Sequence, residues 1–452
     1  MKWVLLVVVS LVALGAAAQT NYYVAPSGSD SNDGSAAHPW RTIGHADGSV
    51  SIGANGTVVH VAAGTYGGNL SCAGTQYNSV VCVNRGGTSQ TARLRYQCDT
   101  PATLAMLGTP QGCYIVSTGS TFIGWSGGGY PNGANYVDIV GFHFGPNPTG
   151  FAHIGTSCAS GLATDAQCPN VNSWHISGNL LEAIGSQNAC DINHMGASIE
   201  TAGRHGNWAA DTQIVGNMIA PYGNPRGVCQ YGYAVYMNGK NQTAYNNIMW
   251  GSRIGFHVYD GACGTTISNN LIMNMVELGI MIWNHSTYGD CASGKGGNTI
   301  DNNVIVNTGA GWSPLYNEGA GIQASGSCDS SHPTLISNNL MFGNVAGNFL
   351  GYNGTAFDSC ASIQNNKSEN PTNTFVNFKN DGTGDYHLQT ASIANGTGTT
   401  TCVSGHIGPC VPALDFDATV RPATGLAIGP FEAGTSSASS PNPPSGLTAT
   451  VQ

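Results

Sequence analysis

The chain has 452 residues, 41% of them hydrophobic and only 8% charged, with 64 glycines, 13 basic and 23 acidic residues and a formal charge of −10. A helical bundle, which needs Glu, Lys and Leu on its faces, is excluded, and so is a disordered chain. The acidic balance excludes a nucleic-acid surface and repels polyanions unless a local basic patch or a bound cation reverses the field.

Residues 1–18, within MKWVLLVVVSLVALGAAAQT, read as a signal peptide. One lysine precedes an apolar run that is too short for a membrane span, and the small residues Ala16, Ala17 and Ala18 place the cut before Gln19. The mature chain is then secreted, extracellular or periplasmic, with no membrane span and a charge of −11 once Lys2 is gone. A monomer is expected. Export makes the 14 cysteines a disulfide framework. Sequential pairing gives Cys72–Cys82, Cys98–Cys113, Cys158–Cys168, Cys190–Cys229, Cys263–Cys291, Cys328–Cys360 and Cys402–Cys410. Spacing alone does not fix that connectivity.

Residues 19–55, containing NYYVAPSGSDSNDGSAAHPWRTIGHA, are rich in Gly, Ser and Asp before a short helix-compatible stretch. They form a cap, because an open solenoid end exposes core and strand edges. Residues 56–434 carry a recurring signal. Asn179, Asn217, Asn247, Asn270, Asn303, Asn339 and Asn366 each open or precede a short apolar strand, and a glycine turn and a second strand follow. Stacked coils of a single right-handed parallel β-helix explain this. Each coil puts one Asn at the same corner, where its side chain bonds the Asn above and below and its backbone tolerates the left-handed conformation.

Alignment on that corner makes Gly196, Tyr233, Gly255 and Gly279 equivalent. Alternation then sends Ala197/Ile199, Ala234/Tyr236, Phe256/Val258 and Ile280/Ile282 inward. The outward face shows Ser198/Glu200, Val235/Met237, His257/Tyr259 and Met281/Trp283, with His194, Tyr231, Arg253 and Glu277 two residues before the reference. The segments around DYHLQTASIANGTG and DFDATVRPATGLAIGPFEAG close the far end, and residues 435–452 are a Ser/Pro-rich tail.

YYVAPSGSDSNDGSAAHPWRTI, the Asn-Asn coils and DFDATVRPATGLAIGPFE together resemble secreted bacterial β-helix proteins of the pectin-lyase-like superfamily, over nearly the whole mature chain. That resemblance implies the right-handed β-helix and a carbohydrate-active protein. It leaves open lyases, hydrolases and proteins without activity. Calcium-dependent lyases of this superfamily carry an aspartate cluster, which is missing here. Asp191, Asp260, Asp290, Asp329 and Asp358 stand singly beside cysteines and read as turn residues before calcium ligands. Calcium is thus a possible cofactor, and no cofactor is firmly implied.

The expected partner is an acidic polysaccharide cleaved by β-elimination. That reaction needs a base at the C5 proton and a cation for the developing enolate. Lys240 or His257 would be the base and Arg253 the carboxylate partner, although Arg253 and Glu277 on adjacent coils also fit a plain ion pair. Tyr259 and Trp283 would stack on sugar rings, with His194, Arg204 and His285 as further binding groups. Two other readings stand beside this one. Glu200 would serve a glycoside hydrolase if a second carboxylate faced it, and the same face would serve a non-catalytic carbohydrate-binding or cell-surface β-helix.

Overall fold

The computed structural model describes residues 19–68, 70–71, 78–116, 120–124, 134–147, 152–155, 171–182, 196–202, 209–220, 232–259, 262–283, 296–309, 319–326, 328, 330–352, 355–403 and 408–433. Within them the chain is a right-handed parallel β-helix. One coil shows why. Thr243–Tyr245 lies in the first sheet, Ile248–Trp250 in the second and Ile254–Tyr259 in the third, and each pairs in parallel with the equivalent strand of the next coil. Sheet one has 11 strands, from Thr20–Val24 to Ala361–Gln364. Sheet two has 9, from Gly64–Gly67 to Leu340–Phe342, and sheet three has 11, from Leu70–Ser71 to Phe349–Leu350.

The core runs up the middle as stacked apolar columns. Ala244, Ile267 and Ile300 enter from sheet one, Met249, Ile272 and Ile305 from sheet two, and Val235, Phe256 and Ile280 from sheet three, all within one continuous cluster. Glycines mark the corner into sheet three. A Cβ on Gly255 would lie 2.5 Å from the carbonyl oxygen of Gly279 and 2.9 Å from Ile272 Cγ2, so no side chain fits there.

The asparagine ladder is continuous from Asn179 through Asn217, Asn247, Asn270, Asn303 and Asn339 to Asn366. Each Nδ2 donates to the next Oδ1 at 2.9–3.0 Å. The same Oδ1 also accepts the backbone N–H of the Asn one coil earlier, as Asn270 does from Asn247. The ladder residues do not carry the left-handed backbone expected of them. That falls to the residue before: Gly178, Gly216, Asn246, Asn269, Asn302, Asn338 and Asn365, with φ between 51° and 64°. The doublet therefore divides two tasks, one residue turning the chain and the next bonding along the stack.

The N-terminal cap packs Trp40, Ile43, Ala46 and Val50 onto the first coils. Tyr96 donates to Asp47 Oδ1 at 2.6 Å and ties the cap helix Ile43–Ser49 down. The C-terminal segment reaches further than an end plug. It folds back along the outer flank of sheet two, where Phe375, Tyr386, Phe416 and Phe431 bury Leu180, Ile248, Leu271, Val304 and Leu340 in a second apolar cluster.

Cys98–Cys113, Cys328–Cys360 and Cys402–Cys410 are disulfides. Cys82 and Cys263 are bonded to cysteines outside the described residues. Cys72, Cys158, Cys168, Cys190, Cys229 and Cys291 lie outside them, as do residues 1–18 and 435–452. No helix among the described residues is long and apolar enough to cross a membrane.

Candidate functional site

The outer face of sheet three gathers the aromatic and ionisable side chains singled out in the sequence. Its register corrects the alignment by one residue. Gly196 pairs with Gly232 rather than Tyr233, Glu200 with Tyr236, and Tyr236 with His257. Val235 and Met237 are therefore core residues, and Tyr236 points outward. A one-residue slip moves every side chain of a strand to the opposite face. In the next two strands the expected pairing is the observed one: His257 with Met281 and Tyr259 with Trp283. Met281 in turn pairs with Gln323.

His257 is the centre of this face. Its ring lies 4.7 Å from Tyr233, 5.1 Å from Tyr236 and 4.9 Å from Tyr259, measured between centroids. Only 4% of the residue is exposed, and neither ring nitrogen has a hydrogen-bond partner among the described residues. Burial, and then the Arg253 charge, push its pKa down to about 3. At neutral pH it is an uncharged imidazole with a free lone pair. Gln323, two coils on, is likewise buried, and neither amide atom has a partner among the described residues.

Tyr259 packs edge-on to Trp283 at 5.4 Å, and Trp283 stacks on Tyr352 at 4.6 Å and 16°. All three rings are half-buried. They continue an outward apolar cluster of Ala197, Tyr233, Ile254, Leu278 and Met281, against which Tyr236 and Leu350 also pack. The sheet thus has an apolar outer side as well as an apolar inner one, as a ligand face or interface requires.

Arg253 and Glu277 form a two-point ion pair, with Nη2 to Oε1 at 2.9 Å and a second contact from Nε to Oε2. Glu277 is buried and Arg253 is half-buried, and Tyr233 also bonds the guanidinium. Burial acts to lower the Arg253 pKa, and Glu277 more than offsets it. Arg253 is in register with Gly232, not Tyr231 as aligned above. Glu200 is buried on the same face, two strands from His257, or roughly 10 Å away. Lys240 lies at a corner of the coil. It ends the strand Gly232–Lys240 four residues beyond Tyr236, roughly 13 Å along it, at the corner beside Cys263. The fold does not bring Lys240 to His257.

His194, Arg204 and His285 lie outside the described residues, as do Asp191, Asp260, Asp290 and Asp329. Asp358 accepts the Gly326 N–H at 3.0 Å across 32 residues of chain, so its side chain ties two coils together instead of bonding its own turn. Tyr233, Tyr236, Gln323 and Tyr352 join the site without having been singled out. Aligning Gly196 with Gly232 in the sequence would have found Tyr236. No local pattern points to Tyr352, which reaches Trp283 across some seventy residues of chain.

The chain is thus a parallel β-helix whose third sheet presents an aromatic outer face. No protein-family model matches the chain, and no curated protein matches it. Among solved structures, pectate lyase Pel9A superposes with a TM-score of 0.51 at 13% identity, covering 93% of this chain and 98% of that one. A rhamnogalacturonan lyase gives 0.42 at 12% identity over 77% and 87% of the two chains. The GH136 lacto-N-biosidase from Eubacterium ramulus gives 0.38 at 12% identity over 77% and 68%. At such identities the likeness to Pel9A is one of fold, and the two lower scores carry no argument.

Proposed function

We propose that this is an extracellular carbohydrate-active protein that engages a polysaccharide on the outer face of sheet three and cleaves it by β-elimination, with His257 as the proton acceptor. One observation carries the reading: a neutral, unpartnered imidazole set among three tyrosines, beside the Tyr259–Trp283–Tyr352 stack. Aromatic faces suit pyranose rings, and elimination needs one base where hydrolysis needs two carboxylates. A pKa of about 3 makes His257 a weak base in the free protein. A sugar carboxylate bound beside it would raise that value towards the working range. The likeness to Pel9A makes the fold a reasonable host for this chemistry and adds no residue to it.

The second reading, a non-catalytic glycan binder, is favoured by the Arg253–Glu277 pair, which neutralises the cation that elimination would call on. Incubation with pectate, alginate and glycosaminoglycans separates the two. Absorbance from unsaturated uronide products supports elimination, and its loss in His257→Ala supports the assigned base. Glycan binding without any product on the whole panel establishes the binder. Reducing ends without that absorbance establish a hydrolase and overturn the elimination reading.

A further inference from the structure

Sheet one carries an unassigned cavity, on a different face from the aromatic columns of sheet three. Its last two strands, Thr334–Ser337 and Ala361–Gln364, pair in register, Leu335 with Ser362 and Ser337 with Gln364. Ile336 fills the core between Leu335 and Ser337, so alternation turns these four side chains outward. The C-terminal segment stands opposite them. The Thr399 N–H donates to Asn302 Oδ1 at 2.8 Å and the Val403 N–H to Thr299 Oγ1 at 3.2 Å, and the Cys402–Cys410 disulfide closes the loop beyond. Between strands and segment lies a cavity of 310 Å³.

The cavity opens where the segment leaves the coil corner. The side-chain amides of Asn302 and Asn338 donate to the carbonyls of Thr399 and Thr397. Asn365 makes the same left-handed turn one coil on, at φ 51°, but its amide has no partner among the described residues and lines the cavity instead. Ser337 Oγ and the Thr401 hydroxyl on the walls are likewise unpartnered among the described residues. Gln364 donates to Ser362 Oγ at 2.6 Å, which leaves its amide oxygen as an acceptor. Among the described residues no Asp, Glu, Lys, Arg or His lines this space. The walls therefore offer an ion no opposite charge, and they match a ligand whose own donors and acceptors are neutral. Leu335 and Val403 add an apolar side. A hexose combines both characters, with hydroxyls around its edge and C–H bonds on its faces. The volume stands near the low end of the roughly 300–1,000 Å³ usual for small-molecule sites, which suits a single sugar ring.

We propose that this cavity binds one neutral hexose residue, with Asn365, Gln364 and Thr401 bonding its hydroxyls and Leu335 and Val403 against its C–H face. The site is a non-catalytic anchor on another sheet from His257, and it does not depend on the elimination reading.

The experiment is saturation-transfer NMR on the whole protein with D-glucose, D-galactose, D-mannose and D-glucuronate as probes. At least one neutral hexose should bind saturably. D-glucuronate should displace it only at a concentration about tenfold higher or more, because its carboxylate meets no cation in the cavity. Asn365→Gly keeps the turn and removes the amide, and Thr401→Val removes a hydroxyl; each should raise the hexose Kd about tenfold. Ser362→Phe fills the cavity and should abolish binding with the dichroism spectrum unchanged. Trp283→Ala should leave hexose binding as it is. Silence from all three hexoses overturns the proposal. So does hexose binding that is unchanged in both Asn365→Gly and Thr401→Val. Loss of hexose binding in Trp283→Ala would place the sugar on sheet three and also overturns it. D-glucuronate that competes as well as the hexoses do overturns the neutral assignment.

Discussion

At His257, burial and a neighbouring positive charge act in the same direction, and both keep the ring unprotonated. Its pH behaviour is therefore a direct probe of its role. Where elimination is found, the acid limb of kcat/KM, which reports the free protein, should fall below the ordinary imidazole range and lie towards pH 3. The acid limb of kcat should sit higher, because a bound carboxylate stabilises imidazolium. Identical limbs in the two profiles would exclude His257 as the base. Its replacement by Gln, with the dichroism spectrum unchanged, should lower turnover by about 10²- to 10⁴-fold. The aromatic stack is tested separately. Tyr352→Ala removes the ring that covers Trp283 and should weaken glycan affinity by about 1 kcal/mol, with turnover at saturation little changed. Titration calorimetry on the bound glycan measures this, and an unchanged affinity would move the binding face elsewhere. Trp283 and Tyr259 were legible from strand alternation because their two strands lack insertions between them. Tyr236 was misplaced because Tyr233 was set level with Gly196 and Gly255, one residue off the pairing on both sides, and alternation turns such a slip into the opposite face.

The coil corner explains why the sequence changes from Gly-Asn to Asn-Asn along the chain. At Gly178 and Gly216 the turning residue needs only a positive φ. At Asn246, Asn269, Asn302 and Asn338 the same position also holds the C-terminal segment. Their amides donate to carbonyls of Leu414, Ala427 and Gly429, Thr399, and Thr397. The doublets were legible as a ladder because the second Asn recurs in successive coils from Asn179 to Asn366. Their second task was not, because it depends on where a segment far along the chain lies. The two tasks should separate on mutation. Asn303→Ala strips a partner from the Asn270 backbone N–H and side-chain amide, and it also removes the donor to the Ile267 carbonyl and to Asn339 Oδ1. With four buried groups affected at about 1–3 kcal/mol each, stability should fall by roughly 4 kcal/mol or more, read as lost amide-exchange protection in sheets one and two around this coil. Asn302→Gly keeps the turn and loses only the Thr399 bonds, a change of about 1 kcal/mol. It should speed proteolysis near residue 399 while leaving coil protection intact. Equal loss of coil protection in both variants would show that the doublet does not divide its tasks in this way.

Across the whole molecule, few charges are present and many of those described are buried, so stability should depend on pH through a small set of groups. Asp47 has its pKa raised to about 6, chiefly by burial. The unfolded chain releases that proton above about pH 3.9 and the folded chain holds it to about 6, so stability from this group falls as pH rises between those values, by roughly 3 kcal/mol in total. Asp415 and Glu432 are raised in the same sense, chiefly by burial. His153 and His257 act oppositely. Burial lowers them to about 4 and about 3, so the unfolded chain takes up protons below pH 6.5 before the folded one does, and stability falls with falling pH. Asp138 is opposed by burial but held down to about 2 by His175, Arg93 and Arg95, and its contribution is lost as pH falls from about 3.9 through 2. Between about pH 4 and 6.5 the acids and histidines offset one another. Below 4 the raised acids no longer differ from the unfolded chain, while His257 and Asp138 still disfavour folding. Tm should therefore vary less from pH 4 to 6.5, where these shifts oppose one another, than below pH 4, where it should drop steeply. Above 6.5 a shallow decline should follow. Burial lowers the His387 pKa, but Asp417 and Asp385 raise it further, so the stability it gives is complete below 6.5 and lost through its raised folded value. Asp47→Asn separates one contribution from the rest. It should raise Tm relative to the wild type at pH 7, and the gain should vanish by pH 3.5, where both states of the wild type are protonated. A gain that persists at pH 3.5 would mean the substitution acts through packing at Tyr96 rather than through the proton.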